Sequence, residues 1–259
     1  YLTARQWDEE PEAEFALVPV TGRLRLYDDQ GVRSTGAALR FAWGLLRSLM
    51  RRRGRYDAVI ASGLPVLNVF AARAALAGSS TRLIVDYLEV WRRRQWVEYA
   101  GGLTGSLAWL LQRVAIALTT TATCHSQLSA SRLRAEGLRR PPLVSPGLID
   151  HVGEVEFTSE PSQPPFVVYA GRHIPDKRVE TLPEAVAEAR ETIPDLKLVI
   201  LGKGPTTGAV RDAVARAGDP DWIRMPGFVD QSELDALMSS AACLVNPSRR
   251  EGYGLVVVE

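Results

Sequence analysis

Apolar and β-branched residues along this chain fall in short compact runs, separated by longer stretches of helical period. Residues 15–20, 57–62, 82–86 and 119–123 predict buried strands, and the segments between them, 36–53, 67–76, 103–118 and 126–137, repeat their apolar positions every three to four residues. The last of these helices closes on Gly137 as a C-cap. A polar stretch at 158–165 has no apolar content and predicts a linker. Beyond it the alternation restarts, with strands at 166–169, 196–201, 223–225 and 243–245. Helices are expected at 179–193, 207–217 and from Asp230, where Glu233 completes a capping-box pattern. Strand and helix alternating in this way predict an α/β protein of two Rossmann-like parallel-sheet lobes facing a cleft. Ligands are then expected at the carboxyl ends of the strands.

Composition narrows this picture. With 46% hydrophobic and 24% charged residues over 259 positions, disordered, collagen-like and disulfide-scaffold readings are excluded. Two cysteines, Cys124 and Cys243, and three histidines are too few and too scattered for a disulfide framework or a zinc site, so no metal is expected and a reducing, cytoplasmic compartment is. The net charge of +1 hides a division. Residues 1–155 carry 20 Arg and no Lys against 14 acids, a balance of +6, whereas the remainder carries 11 Lys and Arg against 16 acids, a balance of −5. The most apolar stretch, 103–118, is interrupted by Gln112 and Arg113 and is too short to span a bilayer. The chain starts at Tyr1 without an initiator Met and stops inside an apolar run, which reads as a fragment incomplete at both ends.

The segment 246–259 offers the most chemistry. Gly252 and Gly254 flank Tyr253 just after a strand, a setting in which backbone N–H groups turn toward an anion, and Glu251 and Glu259 bracket the turn as acceptors for sugar and ribose hydroxyls. A surface turn with two solvated glutamates is the simpler alternative on spacing alone.

Glu251 and Glu259, seven residues apart around Gly-Tyr-Gly-Leu, resemble the E-x7-E motif of glycosyltransferase family 4, retaining enzymes of the GT-B fold. Further segments agree in order: Tyr169-Ala-Gly-Arg172 with Asp176-Lys177, Leu201-Gly202-Lys203-Gly204-Pro205, Gly227-Phe228-Val229, and the turn Ser145-Pro146-Gly147-Leu148-Ile149-Asp150. Val85-Asp86-Tyr87-Leu88-Glu89-Val90-Trp91 is similar to the acceptor lobe of some bacterial members. The resemblance implies an acceptor-side lobe over 1–155, a linker at 156–165 and a donor lobe over 166–259. It implies transfer of a sugar from a nucleotide-diphosphate sugar to a hydroxyl of a lipid-linked, glycan or small-molecule acceptor, with no cofactor or metal. Arg172, Lys177 and Glu251 would be the catalytic residues, the two cations neutralising the leaving diphosphate. Gly171, Gly204, Phe228, Val229, Gly252, Tyr253, Gly254, Leu255 and Glu259 would bind the donor. Relative to the family, the chain lacks the glycine-rich first loop and the C-terminal helices that cross back, and is therefore expected to be inactive or unstable alone.

Some features depart from that pattern or compete with it. The acceptor-lobe His expected near 58–65 is replaced by Ser62-Gly63-Leu64-Pro65, which leaves Asp86, Glu89 and Trp91 as acceptor-side candidates. Gly202 to Gly208 misses the dinucleotide spacing by one residue, and Asp219-Pro220-Asp221 follows a helix-ending Gly218, which predicts a loop rather than a metal-binding D-x-D. Arg92, Arg93 and Arg94 lie between Trp91 and Trp96, an interleaving suited to an anionic membrane surface. It leaves open a peripheral contact at the inner face of the plasma membrane, and a non-catalytic anion- or nucleic-acid-binding role for the basic lobe is the alternative to an enzyme that binds no nucleic acid.

Overall fold

The computed structural model describes residues 1–9, 11–26, 34–146, 162–218 and 220–258. Glu259, the turn 147–150, His151, Asp219 and most of the expected linker at 156–165 lie outside them. The chain divides into two compact units, Tyr1–Gly147 and Leu148–Glu259.

In the first unit, β1 (Leu2–Ala4) pairs in parallel with β2 (Val18–Thr21), and a separate parallel sheet runs β3 (Ala58–Ser62), β4 (Arg82–Tyr87), β5 (Ala122–Cys124), β6 (Leu143–Val144). Register is continuous from Ala58↔Arg82 to Ser62↔Asp86, and Asp86 lies opposite Thr123. Helices α1 (Thr35–Arg51), α2 (Leu67–Leu76), α3 (Arg93–Ala100), α4 (Gly102–Leu118) and α5 (Gln127–Ala135) connect and cover these strands. Ser34 starts α1 by accepting the Ala37 N–H, and Ser126 starts α5 by accepting that of Ser129. Past α5, Gly137 adopts a left-handed φ of 109° and Leu138 N–H returns to the Leu133 carbonyl, the closing bond of a glycine-terminated helix.

Along α1 the largest apolar side chains are not the ones that are buried. Leu39 and Trp43 are more than half exposed, and the buried positions are Ala37, Ala42, Leu45, Ser48 and Leu49. The cause is the partner: α1 packs on Ala71, Ala72 and Ala75 of α2, and small residues on both sides allow close approach where a Trp would not fit.

The second unit repeats the plan with one parallel sheet in the order β10 (Cys243–Leu244), β7 (Phe166–Ala170), β8 (Lys197–Leu201), β9 (Ile223–Gly227). The central strands β7 and β8 are apolar throughout their middles. Leu198 and Ile200 point into one core layer with Tyr169, Val179, Val186 and Val210, and Val168, Val199 and Leu201 point into the other. The expected helix at 179–193 is shorter: a 3-10 turn at Val179–Thr181 precedes α6 (Leu182–Ala189). Then follow α7 (Thr207–Arg216), α8 (Gln231–Ser240) and α9 (Leu255–Val258). Asp230 caps α8 through Glu233 N–H at 2.8 Å, but the Glu233 carboxylate pairs with Arg224 instead of closing the box.

Candidate active site

The carboxyl ends of β7, β8 and β9 are stitched together by backbone. Gly202 N–H donates to the Gly227 carbonyl at 2.7 Å, and His173 N–H donates to that of Lys203 at 3.2 Å. Gly202 sits at φ 98°, and a Cβ there would collide with the Gly171 carbonyl oxygen; one at Gly204 would collide with the His173 carbonyl. These approaches explain why Gly202 and the predicted donor residue Gly204 are glycines: their loop lies against the backbone of Gly171 and His173.

His173 locks this arrangement from beneath. It is wholly buried, with Nε2 3.3 Å from the Leu201 carbonyl and Nδ1 3.1 Å from Thr207 Oγ1, which itself accepts Gly204 N–H at 2.9 Å. The network assigns the proton to Nε2, so that Nδ1 accepts the Thr207 hydroxyl. Burial pushes its pKa below the ordinary histidine value, with only the Leu201 carbonyl opposing. It is a structural histidine, as a lone one without a catalytic partner is expected to be.

Past β7 the chain makes a tight 3-10 turn at Pro175–Lys177, and Arg178 ends it in the left-handed region at φ 51°. The turn aims Lys177 at the loop after β10. Lys177 Nζ lies 2.6 Å from Glu251 Oε2, Arg249 N–H donates to the Asp176 carbonyl at 2.8 Å, and Arg250 Nε donates to Asp176 Oδ1 at 2.8 Å. Burial alone would raise the Glu251 pKa. The Lys177 ammonium, with hydrogen bonds involving Ser248 and Asn246, outweighs it and holds the carboxyl below the ordinary range. Burial foremost, and then the negative charge of Glu251, raises the pKa of Tyr169, whose hydroxyl donates to the Arg172 carbonyl at 3.1 Å.

Two of the three predicted catalytic residues, Lys177 and Glu251, are therefore in direct contact. Arg172 is exposed at the end of β7, on the same turn. Gly252 and Tyr253 continue from Glu251, and Gly254, at φ 76°, turns the chain into α9, which begins at Leu255. Phe228 is 73% exposed beyond β9, whereas the Val229 side chain packs inward against the layer of Val168, Val199 and Leu201. Asp176 and Arg250 were not expected from sequence. The signal was there as opposite charges beside Lys177 and Glu251, but nothing in the sequence joins residue 176 to residue 250.

In the first unit, Asp86, next to last in β4, has Oδ1 accepting the Thr123 hydroxyl at 2.5 Å and Oδ2 3.2 Å from His125 Nε2. Sequence alone gives His125, at a strand end, no partner; the parallel neighbours β4 and β5 supply one by bringing their carboxyl ends side by side. Glu89 and Trp91 are engaged with one another, Trp91 Nε1 donating to Glu89 Oε2 at 2.8 Å. The expected display of Trp between Arg is corrected. Trp91, Trp96 and Tyr99 stack with centroids 4.9 to 6.4 Å apart, and buried Gln112 accepts the Trp96 indole N–H at 3.1 Å and donates to the Trp91 carbonyl at 2.6 Å.

A family profile described as "Glycosyl transferase 4-like domain" matches residues 1–147, and another described as "Glycosyl transferases group 1" matches residues 154–259. The chain belongs to the glycosyltransferases. Among curated relatives, it is 28% identical over 120 residues to a UDP-N-acetylglucosamine–peptide N-acetylglucosaminyltransferase GtfA subunit of Streptococcus gordonii, covering 46% of this chain and 23% of the relative. It is 33% identical over 95 residues to an alpha-D-kanosaminyltransferase of Streptomyces kanamyceticus, covering 37% and 25%. The aligned part is thus about a quarter of these relatives' length. Among solved structures, sucrose-phosphate synthase from Thermosynechococcus elongatus aligns with a TM-score of 0.72 at 15% identity, over 98% of this chain and 66% of that one. Pneumococcal GtfA in complex with UDP and GlcNAc aligns at 0.57 and 18% identity, over 85% and 42%. At these identities the likeness establishes the fold of this glycosyltransferase as GT-B.

Proposed function

We propose that the chain carries the donor site and part of the acceptor site of a retaining, metal-independent glycosyltransferase of family 4 that moves a sugar from a nucleotide-diphosphate sugar to an acceptor hydroxyl. The observation that carries this reading is the Lys177–Glu251 pair, which brings a cation and a carboxylate from two strand-end loops to one point. Lys177 and Arg172 neutralise the diphosphate as it leaves. Such electrostatic stabilisation is worth about 3 kcal/mol per donor group. Gly254 and Leu255 offer backbone N–H groups to the same phosphates, Glu251 accepts hydroxyls of the transferred sugar, and Glu259 holds the ribose. Glu251 is held ionised, so it binds hydroxyls as an acceptor and does not donate a proton.

On the acceptor side, Asp86, held by Thr123 and His125, is the carboxylate placed to receive a hydroxyl. The acceptor belongs to the sugar, glycan or lipid class, the protein is cytoplasmic, and nucleic acid is no partner. The names of the GtfA and kanosaminyltransferase relatives support a hexose-type donor.

Transfer and donor hydrolysis by the full-length protein, measured with UDP-, GDP- and ADP-sugars in the presence of EDTA, test the reading. Loss of activity in both Arg172→Ala and Glu251→Ala is expected. Wild-type turnover in either would overturn the site.

A further inference from the structure

Helix α4 is built inside out. Leu103, Leu107, Leu110, Val114 and Leu118 recur at helical spacing along one side, and each is exposed, Leu103 by 89% and Leu107 by 56%. The opposite side packs into the core through Gln112, Ala115 and Ile116. A helix covering a sheet in water ordinarily turns its polar side outward; here four leucines and a valine line the outer side along the length of the helix, while Leu111 and Ile116 pack inward.

The charges around the stripe are mostly cationic. α4 contains no carboxylate, and its one ionised residue, Arg113, lies exposed at the edge of the stripe, over the Trp109 ring and 3.9 Å from the largely buried Glu136 carboxylate. On the same flank, Arg93 of α3 reaches Ser106 Oγ at 3.3 and 3.4 Å. Over residues 91–118, Arg92, Arg93, Arg94 and Arg113 stand against Glu98 alone, four charges less one, or +3, and Glu98 is paired with Arg94.

We propose that the outer face of α4 docks on an anionic lipid surface, its leucines entering the boundary between headgroups and acyl chains while Arg93 and Arg113 meet lipid phosphates. A helix with an apolar stripe and a cationic rim binds in the plane of such a surface. The core packing of the other side holds α4 flat, and among the described residues no helix is long and apolar enough to cross a membrane. Charge decides against a second copy of this chain, because a twofold contact through this face would set cationic rims against each other. The surface is also distinct from the Trp–Arg segment that sequence reading favoured, since the Trp96 indole N–H is bonded to Gln112 and that of Trp91 to Glu89. The proposal stands independently of the donor-site reading.

The test is co-sedimentation of the full-length protein with vesicles of phosphatidylglycerol and phosphatidylcholine, and with pure phosphatidylcholine, with circular dichroism confirming that each variant is folded. Binding to the anionic vesicles is expected to fall at least tenfold in Leu107→Ser/Leu110→Ser, about fivefold in Arg113→Gln, and with rising salt. Equal binding to both vesicle types, wild-type binding by the leucine double variant, or no vesicle binding at all would overturn it. So would a dimer in light scattering that the double variant dissolves while vesicles fail to bind.

Discussion

Lys177 and Glu251 lie 2.6 Å apart across 74 residues of sequence, joining the turn that follows the first strand of the second unit to the loop that follows its last. Neither group is deeply buried, so the pair is worth little to stability in water. Its value is positional. On the proposed reading, a cation held at a carboxylate is already aimed at the donor diphosphate, and exchanging one anion for another needs no new turn of chain.

Lys177→Ala is expected to lower turnover on the preferred nucleotide sugar by about 100- to 1,000-fold, the cost of removing one group that stabilises charge in the transition state. The melting temperature should move little. Steady-state kinetics alongside a thermal melt separates the two effects.

Gly202→Ala is expected to destabilise the second unit by about 2 kcal/mol or more. The residue holds φ 98° and its new Cβ would meet the Gly171 carbonyl, so strain and collision add. Chemical denaturation followed by circular dichroism gives the change, and retention of wild-type stability would contradict the backbone geometry.

The buried His173 gives stability a pH dependence whose sign is fixed. Its folded pKa lies below the ordinary value of about 6.5, so the neutral ring is the form the fold holds. The contribution is therefore complete above about pH 6.5. It is lost as pH falls below that toward the folded pKa, when a proton on Nδ1 would confront the Thr207 hydroxyl that donates to it. Thermal melts between pH 8 and 5 should show this loss, reduced in His173→Gln.

Gln112→Leu tests the aromatic cluster of the first unit. The side chain joins Trp91 and Trp96 through three hydrogen bonds, and its loss removes that partner from a half-buried indole and from the Trp91 backbone, at a cost of about 1–3 kcal/mol. Tryptophan fluorescence should also shift to the red as the cluster loosens.

The alternation of strands and helices was legible because its causes are local: compact apolar runs make buried strands, and Ser34, Ser126 and Asp230 announce their helices as caps. The face of α1 was not. Periodicity favours large side chains such as Leu39 and Trp43, whereas burial was decided by the alanines of a helix 30 residues away. α3 was missed for a similar reason, since a run of three arginines reads as a charged loop until Trp96 and Tyr99 find their partners. In the candidate site, the glycine turn at 252–254 was readable from spacing, whereas Arg172 and Lys177 were singled out only by the family resemblance. The Asp86–His125 and Asp176–Arg250 pairs were not readable, because they exist only through strand neighbours that sequence does not specify.

The clasp between Asp176 and the segment 249–250 has a consequence for motion. The Lys177–Glu251 contact between the two loops uses groups assigned to the ligand, whereas the Arg249 backbone bond and the Arg250 pair use none. On the proposed reading, a diphosphate that drew Lys177 away from Glu251 would leave the Arg249 and Arg250 links whole. Donor arrival would then be registered as a change of partner on a fixed frame, with little ordering entropy left to lose on binding.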